Sequence, residues 1–188
     1  MIDTVRTNSS KIPSWLYAKI ERKVVDLYIE QGITEIPIDP FEIIKKRGYI
    51  LVPFSKLQNT FLSREDNDKH DALSFFDPEL KNYVIVYNDE KPLLRLRFTL
   101  MHEIAHIDLG HKCESDLARR MADYYAGYAL APYPLIGLLT SGSKEEIQNK
   151  FWVSKECAEI CQSRYYKWSV YGGNGYRGYE LLLLDLIK

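Results

Sequence analysis

The residues best suited to chemistry are His102, Glu103 and His106, which form the pattern H-E-I-A-H. At about 100° per residue, four helical residues return to within about 40° of the starting direction, so both histidines lie on one helical face. Two imidazole nitrogens on one face can bind a single metal ion. Glu103, about 100° from His102, borders that face without joining the ligands.

Zinc suits such a site because imidazole and carboxylate ligands at three positions leave a fourth position for water, whose pKa falls to about 7 on binding. Glu103 can accept a proton from that water. The pattern therefore predicts a hydrolytic zinc site, with His102 and His106 as ligands and Glu103 as the general base.

Five residues of this kind also occur by chance on solvated helices, where they have no metal-binding role. The residues flanking the motif are mostly apolar, which predicts a buried helix; they include Phe98, Leu100, Met101, Ile104, Ile107 and Leu109. Because burying two histidines and a glutamate without partners is costly, the flanking sequence favours the metal interpretation.

The segments that must position the motif read as helices and short strands. Apolar spacing and capping residues predict early helices, and β-branched and aromatic runs predict strands. Helices are expected at 14–31 and from Asp39 to near Gly48; strands at 49–53 and 83–87, with weaker candidates at 61–62 and 72–76. The motif helix is expected to begin at Pro92 and to end at Gly110.

The rest of the chain reads as helical. One helix is expected over about 115–130, a short one after the capping sequence that begins at Ser143, and another from Ser154 to about Tyr166. The last two, with the turn at 151–153, have the outline of a helix-turn-helix, for which packing is the simpler explanation. The apolar segment 179–187 is left undecided.

These elements predict an α+β fold: a small, mostly antiparallel sheet packed on helices, with a helical C-terminal tail. We expect one catalytic domain over residues 1–140 and a helical extension over 141–188 that packs on the same domain.

Composition argues against several classes of partner. Lys and Arg number 25 against 26 Asp and Glu, which gives a formal charge of -1 and no footprint for nucleic acid or anionic lipid. Neither a signal sequence nor a membrane span is evident. Cys113, Cys157 and Cys161 are expected to be free, buried thiols in a reducing compartment, so we expect a soluble, cytoplasmic protein.

Several segments resemble the ImmA/IrrE family of zinc metallopeptidases. The central one is RLRFTLMHEIAHIDLGH, and the others are IDPFEIIKKRGYILVPFS, YVIVYND, ADYYAGYALAP and FWVS, so the resemblance covers roughly residues 36–168. It implies a zincin-like, gluzincin-type domain that acts inside the cell on a protein substrate. In the best-understood relatives that substrate is a helix-turn-helix repressor, whose cleavage releases genes of a mobile element or a stress response.

The third zinc ligand is where the sequence departs from this family. The resemblance implies a glutamate within the turn before Ala122, but residues 118–121 contain no acid. Asp116 and Asp123 are the nearest carboxylates, and Glu114 lies closer to the helix start. We predict Asp123 as the third ligand; the alternative is that it accepts a hydrogen bond from a ligand histidine.

Two further groups affect this prediction. His111 would point away from His102 if the helix continued, and only a break at Gly110 could bring it round, so a surface or core histidine is expected. Arg119 or Arg120 near the metal would repel the ion, although both are expected to face solvent.

Three functions remain open. The first is an intracellular zinc endopeptidase whose substrate lies extended along an edge strand, either 83–87 or a neighbour. The second is a non-catalytic module of the same fold that binds a repressor, an antitoxin or DNA. The third is a zinc hydrolase of small amides, since the metal motif alone does not define the substrate.

Expectations for other side chains are limited. His70 is expected to be exposed. A hydrolase of this kind also needs a donor to the developing oxyanion, and the sequence does not choose one among Tyr124, Tyr125 and Tyr128.

Overall fold

Within the described residues, helices predominate and one three-stranded sheet accompanies them. The computed structural model describes residues 11–57, 70–113, 115–172 and 175–187, and the weak strand candidate at 61–62 lies outside them. The α+β class is confirmed. In chain order the elements are α1 (Ser14–Gln31), α2 (Pro40–Lys46), β1 (Ile50–Pro53), a 3₁₀ turn (Phe54–Lys56), β2 (Ala72–Asp77), β3 (Asn82–Tyr87), α3 (Leu93–Asp108), α4 (Asp116–Leu130), α5 (Tyr133–Leu139), α6 (Lys144–Phe151), α7 (Lys155–Tyr171) and α8 (Gly178–Leu186).

The sheet has the order β1-β3-β2, so β3 is its central strand. β2 pairs antiparallel with β3, whereas β1 pairs parallel with it, in the register Ile50 to Val84 and Pro53 to Tyr87. The expected mostly antiparallel sheet is therefore corrected to a mixed one. A parallel pair needs a long crossover, and the residues between β1 and β3, including β2, provide it.

Local signals explain where most helices begin and end. Asp39 accepts a hydrogen bond from the Phe41 backbone N–H and caps α2, and Ser115 does the same for Ala118 at α4. Gly110 adopts φ 67° just beyond α3, a left-handed conformation that reverses the chain and that glycine adopts without strain.

The helix α5 was not predicted. Its first residue is Tyr133, with Pro132 as the N-cap and Pro134 at the second helical position. Prolines are tolerated in the first turn, where no intrahelical N–H bond is required, so they begin this helix rather than prevent it. The undecided segment near the C-terminus is also helical, as α8.

The helix-turn-helix outline of α6 and α7 is present, and the turn between them is fastened to the motif helix. Trp152 takes a left-handed conformation with φ 54° at this turn. Arg97 of α3, only 3% exposed, donates from Nε to the Trp152 carbonyl at 3.1 Å and from Nη2 to the Ile38 carbonyl at 2.8 Å. Its guanidinium also stacks over the Trp152 ring.

One hydrophobic cluster includes residues from the early helices, the sheet, the motif helix and the tail. It joins Ile20 and Leu100 to Phe151 and Leu183, all fully buried. The boundary that we place at 140/141 stays a prediction. Of the helices in the described ranges, none is long and apolar enough to cross a membrane.

Candidate metal centre

The motif helix α3 is held by its apolar face. Leu100, Met101, Ile104 and Ala105 are fully buried, which fixes the rotation of the helix about its own axis. The remaining face, with His102 and His106, borders a cavity of about 1090 Å³. The burial pattern predicted for the motif helix is therefore present.

The two motif histidines converge through the same ring atom. His102 Nε2 and His106 Nε2 lie 2.9 Å apart. A tetrahedral ion with zinc–nitrogen distances of ~2.0–2.1 Å holds two ligand nitrogens ~3.3–3.4 Å apart, so a few tenths of an ångström of ring movement would admit one. The pair thus fits two ligands of a zinc ion.

Asp123 is the neighbour of His102 on the following helix. Its Oδ1 atom lies 2.8 Å from His102 Nδ1, the ring nitrogen that does not face His106. A carboxylate in this position fixes the tautomer in which Nε2 carries the free lone pair. The contact favours the hydrogen-bonding role of Asp123, and its role as third ligand stays a prediction.

His111 lies beside His106, contrary to the expectation that it points away. The chain reverses at Gly110, and His111 Nδ1 lies 3.2 Å from His106 Nδ1. Burial and the nearby His102 both lower the pKa of His111, so its neutral form is favoured. A neutral His111 can accept the His106 Nδ1 proton, which leaves His106 Nε2 directed at His102.

Glu103 is 7% exposed and lies on the same cavity wall as the two histidines. Its helical position, one residue after His102, turns its carboxylate to the side of the histidine face. This is where a proton acceptor can reach a water molecule held near the two imidazoles.

The cavity, called here the α3 cavity, is enclosed by several elements. Its walls come from residues 70–76 around β2, from α3, from α4 through Arg119 and Asp123, and from the start of α7. Residues 70–76 line it consecutively. Because strand side chains alternate between faces, an unbroken run of this kind means that the cavity meets the edge of β2.

A third protein ligand is not assembled in the described ranges. Within residues 11–57, 70–113, 115–172 and 175–187, no three His, Cys, Asp or Glu side chains are grouped so that they could hold a metal ion. Asp116 is exposed at the start of α4, and Glu114 falls outside the described residues. Arg119 is exposed, as expected. It also lines the α3 cavity, which was not expected.

Other expectations for single residues are corrected or settled. His70 is half-buried and lines the cavity, as does Cys113, which is exposed rather than buried. Both belong to loops, whose paths depend on tertiary packing, so their sequence distance from the motif did not predict that they line the cavity.

Two of the α4 tyrosines considered as oxyanion donors form hydrogen bonds with other side chains. Tyr124 donates to Glu21 and Tyr125 to Asp108, both at 2.5 Å.

Comparison with solved structures finds a likeness to a protein described as a Mycobacterium tuberculosis transcriptional regulator. The TM-score is 0.52 at 15% sequence identity, and the match covers 75% of this chain and 45% of that chain. At this identity the likeness concerns the fold alone, and the chain spans less than half the length of that regulator. Comparison with curated protein sequences gives no match.

Comparison with protein families gives one that accounts for the metal motif and its surroundings. The family described as Peptidase_M78, IrrE N-terminal-like domain, matches residues 50–160. That range is more than half of the chain and runs from β1 to the first turns of α7. The chain belongs to this family of IrrE N-terminal-like domains.

Proposed function

We propose that the chain is a zinc-dependent peptidase whose metal is held by Nε2 of His102 and Nε2 of His106. The observation that carries the proposal is the convergence of these two atoms at 2.9 Å on the wall of the α3 cavity, beside Glu103. Membership of a peptidase family supports the same reaction class.

Each nearby side chain has a role in this proposal. Bound zinc would supply Lewis-acid polarisation of the scissile carbonyl and a water of lowered pKa. Glu103 accepts the proton of the attacking water and delivers it to the leaving amine. Asp123 holds the His102 ring through Nδ1, and His111 holds the His106 ring through its own Nδ1.

The substrate segment, we propose, lies along β2. The sheet order supports a neighbour of 83–87 rather than that strand itself, because β3 is central and has both edges paired. β2 has one edge that meets the α3 cavity. An extended peptide could add backbone hydrogen bonds to that edge and pass the two histidines.

The proposed substrate is a protein inside the cell, specifically a regulatory protein such as a helix-turn-helix repressor. Its support is the family to which the chain belongs. The cavity also borders residues 70–76 along β2, which gives an extended chain a strand edge to pair with that a small amide would not use.

A second function is favoured by specific observations on α4. Arg119 lines the cavity that holds the metal motif, and the described ranges contain no three-ligand group. A guanidinium near a divalent ion lowers its affinity by charge repulsion. With the metal lost, the same groove would bind a repressor or an antitoxin without cutting it.

Metal analysis separates these functions. The purified full chain would be loaded with zinc, desalted, and measured beside two histidine variants, His106→Gln and His70→Gln. Both histidines line the α3 cavity, but only His106 belongs to the converging pair. We expect zinc in the wild type and in His70→Gln, and its loss in His106→Gln.

Cleavage would be measured on peptides prepared from the proteome of the host cell, with new termini identified by mass spectrometry. Termini that are present with wild type and absent with Glu103→Gln or with a chelator support the peptidase. Zinc without any Glu103-dependent cleavage overturns the peptidase. Absence of zinc from the wild type overturns the metal site and supports the binding module.

A further inference from the structure

Two cysteines form a close pair on the first turns of α7, a different helix from the one that carries the metal motif. Cys157 Sγ and Cys161 Sγ lie 4.0 Å apart, and neither is in a disulfide. Both residues are buried, at 7% and 0% exposure. Neither thiol has a role in the proposed peptide hydrolysis.

The surroundings favour thiolate character at Cys157, whereas the hydrogen bond with Cys157 and burial raise the pKa of Cys161. Cys157 lies in the first turn of α7, where the backbone N–H groups and the helix dipole stabilise negative charge. Arg164 and Cys161 both lie beside Gly127 of α4. A Cβ atom added to that glycine would be 3.3 Å from Arg164 Nη1 and 4.0 Å from Cys161 Sγ. The hydrogen bond with Cys161, aided by Arg164, lowers the pKa of Cys157.

The pair is open to small solutes on one side. Cys157 and Ile160 are part of the wall of the α3 cavity, whereas Cys161 lies deeper, with its thiol 3.6 Å from the Gly127 carbonyl. A solute that enters the cavity therefore meets Cys157 first and Cys161 directly behind it.

The helix geometry favours a shared ligand over a disulfide. A disulfide requires sulfurs at ~2.05 Å and Cβ atoms at ~3.5–4.5 Å, but residues four apart on a helix have Cβ atoms ~5–6 Å apart. Two sulfurs on one tetrahedral ion, each at ~2.3 Å, lie about 3.8 Å from one another, and the smaller bond angles at pyramidal trivalent arsenic bring two sulfurs a few tenths of an ångström closer. The thiols, at 4.0 Å, therefore need only a small inward rotation of their side chains to share one such centre.

We propose that Cys157 and Cys161 form a chelating dithiol that binds one thiophilic ion, such as trivalent arsenic, at the wall of the α3 cavity. Soft thiolate ligands select soft ions over the ions that imidazole and carboxylate bind. The site is independent of His102 and His106 and does not depend on the chain being a peptidase.

Phenylarsine oxide is the appropriate probe because it needs only two thiols. Both thiols add to arsenic: two S–H bonds break, two As–S bonds form, and the oxygen leaves as one water molecule. Arsenic stays trivalent, so no oxidant or reductant takes part. The product is a cyclic dithioarsenite in which the phenyl group keeps its As–C bond.

The test uses the reduced full chain, native mass spectrometry and titration with phenylarsine oxide. We expect one phenylarsenic group per chain, bound with loss of water and removed by a competing small dithiol. Cys157→Ser and Cys161→Ser should each lower the affinity by about 10²–10⁴-fold, the range for removing one of two linked contacts. Cys113→Ser is the matched control, since that cysteine is exposed and lines the same cavity, and it should bind as wild type does.

Further variants separate folding and the metal site from the dithiol. Cys157→Ala and Cys161→Ala, checked by circular dichroism and thermal unfolding, should retain the fold while losing the adduct. His106→Gln should retain the adduct even if it loses zinc. No adduct on the wild type, or an adduct that needs Cys113 instead of Cys161, would overturn the proposal.

Discussion

The carboxylate of Asp123 contacts His102 at Nδ1, at 2.8 Å, and thereby leaves Nε2 of that ring directed at His106. Asp123→Asn keeps the size of the side chain but removes its charge, and Asp123→Ala removes the contact. Because partners of ligand histidines typically contribute 10–100-fold to metal affinity, we expect a loss of about 10-fold for asparagine and about 100-fold for alanine. Zinc competition with a fluorescent chelator measures both.

The graded loss identifies an orienting carboxylate. If Asp123 is instead the third ligand, asparagine and alanine should both abolish stoichiometric zinc. Equal affinity in all three proteins would remove Asp123 from the site altogether. Glu103→Gln is the control, because it changes the proposed general base and should leave zinc bound.

Arg119 and Arg120 offer a matched pair on α4. Both are exposed arginines, but only Arg119 lines the α3 cavity. Arg119→Glu removes a positive charge from the cavity wall and adds a carboxylate, so zinc affinity should rise by at least about 10-fold, which corresponds to ~1.4 kcal/mol. Arg120→Glu makes the same change of charge outside the α3 cavity, so it should change zinc affinity much less. The same competition assay measures both variants. Equal gains for both variants would mean that net charge alone is responsible.

Arg97 should contribute strongly to stability through the turn at Trp152. Its guanidinium donates to three backbone carbonyls, those of Ile38, Phe151 and Trp152, while it is almost fully buried. Arg97→Met should lower the free energy of unfolding by about 2–3 kcal/mol, since buried carbonyls lose their donors. Thermal unfolding should shift down by about 4–12 °C for a chain of this size.

Arg95 is the control for Arg97, two residues away on the same helix. Its side chain is 60% exposed and pairs with Asp71 on the surface. Arg95→Met should cost no more than ~1 kcal/mol, as exposed ion pairs do. Similar losses for the two variants would contradict the role assigned to the Trp152 turn.

Two buried tyrosines should respond differently to removal of the hydroxyl. Tyr28 donates to the Ala129 carbonyl at 2.8 Å, whereas the Tyr128 hydroxyl is buried and meets no partner in the described part of the chain. Tyr28→Phe should cost about 1 kcal/mol, and Tyr128→Phe should cost nothing or stabilise slightly. Urea unfolding of the two variants measures the difference, and an equal cost would show that the Tyr128 hydroxyl is bonded in solution.

Local sequence signals predicted most helices because they act within one turn. Asp39, Ser143 and Ser154 each cap the helix that the sequence assigned to them. Helix α5 has no such signal, because Pro132 ends one helix and is also the N-cap of the next, where proline suits the first turn. No such local rule orders strands, and the sheet was correspondingly less well predicted.

One signal for the sheet was nevertheless present in the sequence. Val84, Ile85 and Val86 form an unbroken apolar run, and all three are buried. A strand that is covered on both faces has a continuous apolar sequence, whereas a half-exposed strand alternates apolar and polar residues. The run therefore indicates a central strand rather than an edge strand. This argument excludes β3 as an edge strand but does not choose between β1 and β2.

The metal centre was predictable only as far as its spacing within one helix. His102, Glu103 and His106 lie together on α3 because the helical period brings them there. The position of His111 depends on a single glycine conformation, and that of Arg119 on how α4 packs against α3. Neither follows from periodicity.

If a substrate pairs with β2 as proposed, the shortness of that strand restricts which segments could be cut. The strand has six residues, so a partner that pairs along it must present a similar length of fully extended backbone. Residues inside a stable helix cannot do so without melting that helix, at a cost of lost hydrogen bonds and packing. In a folded helical regulator, the vulnerable bonds would accordingly be those of interdomain linkers or frayed ends, and tightening such a linker with proline would protect the regulator without touching its DNA-binding surface.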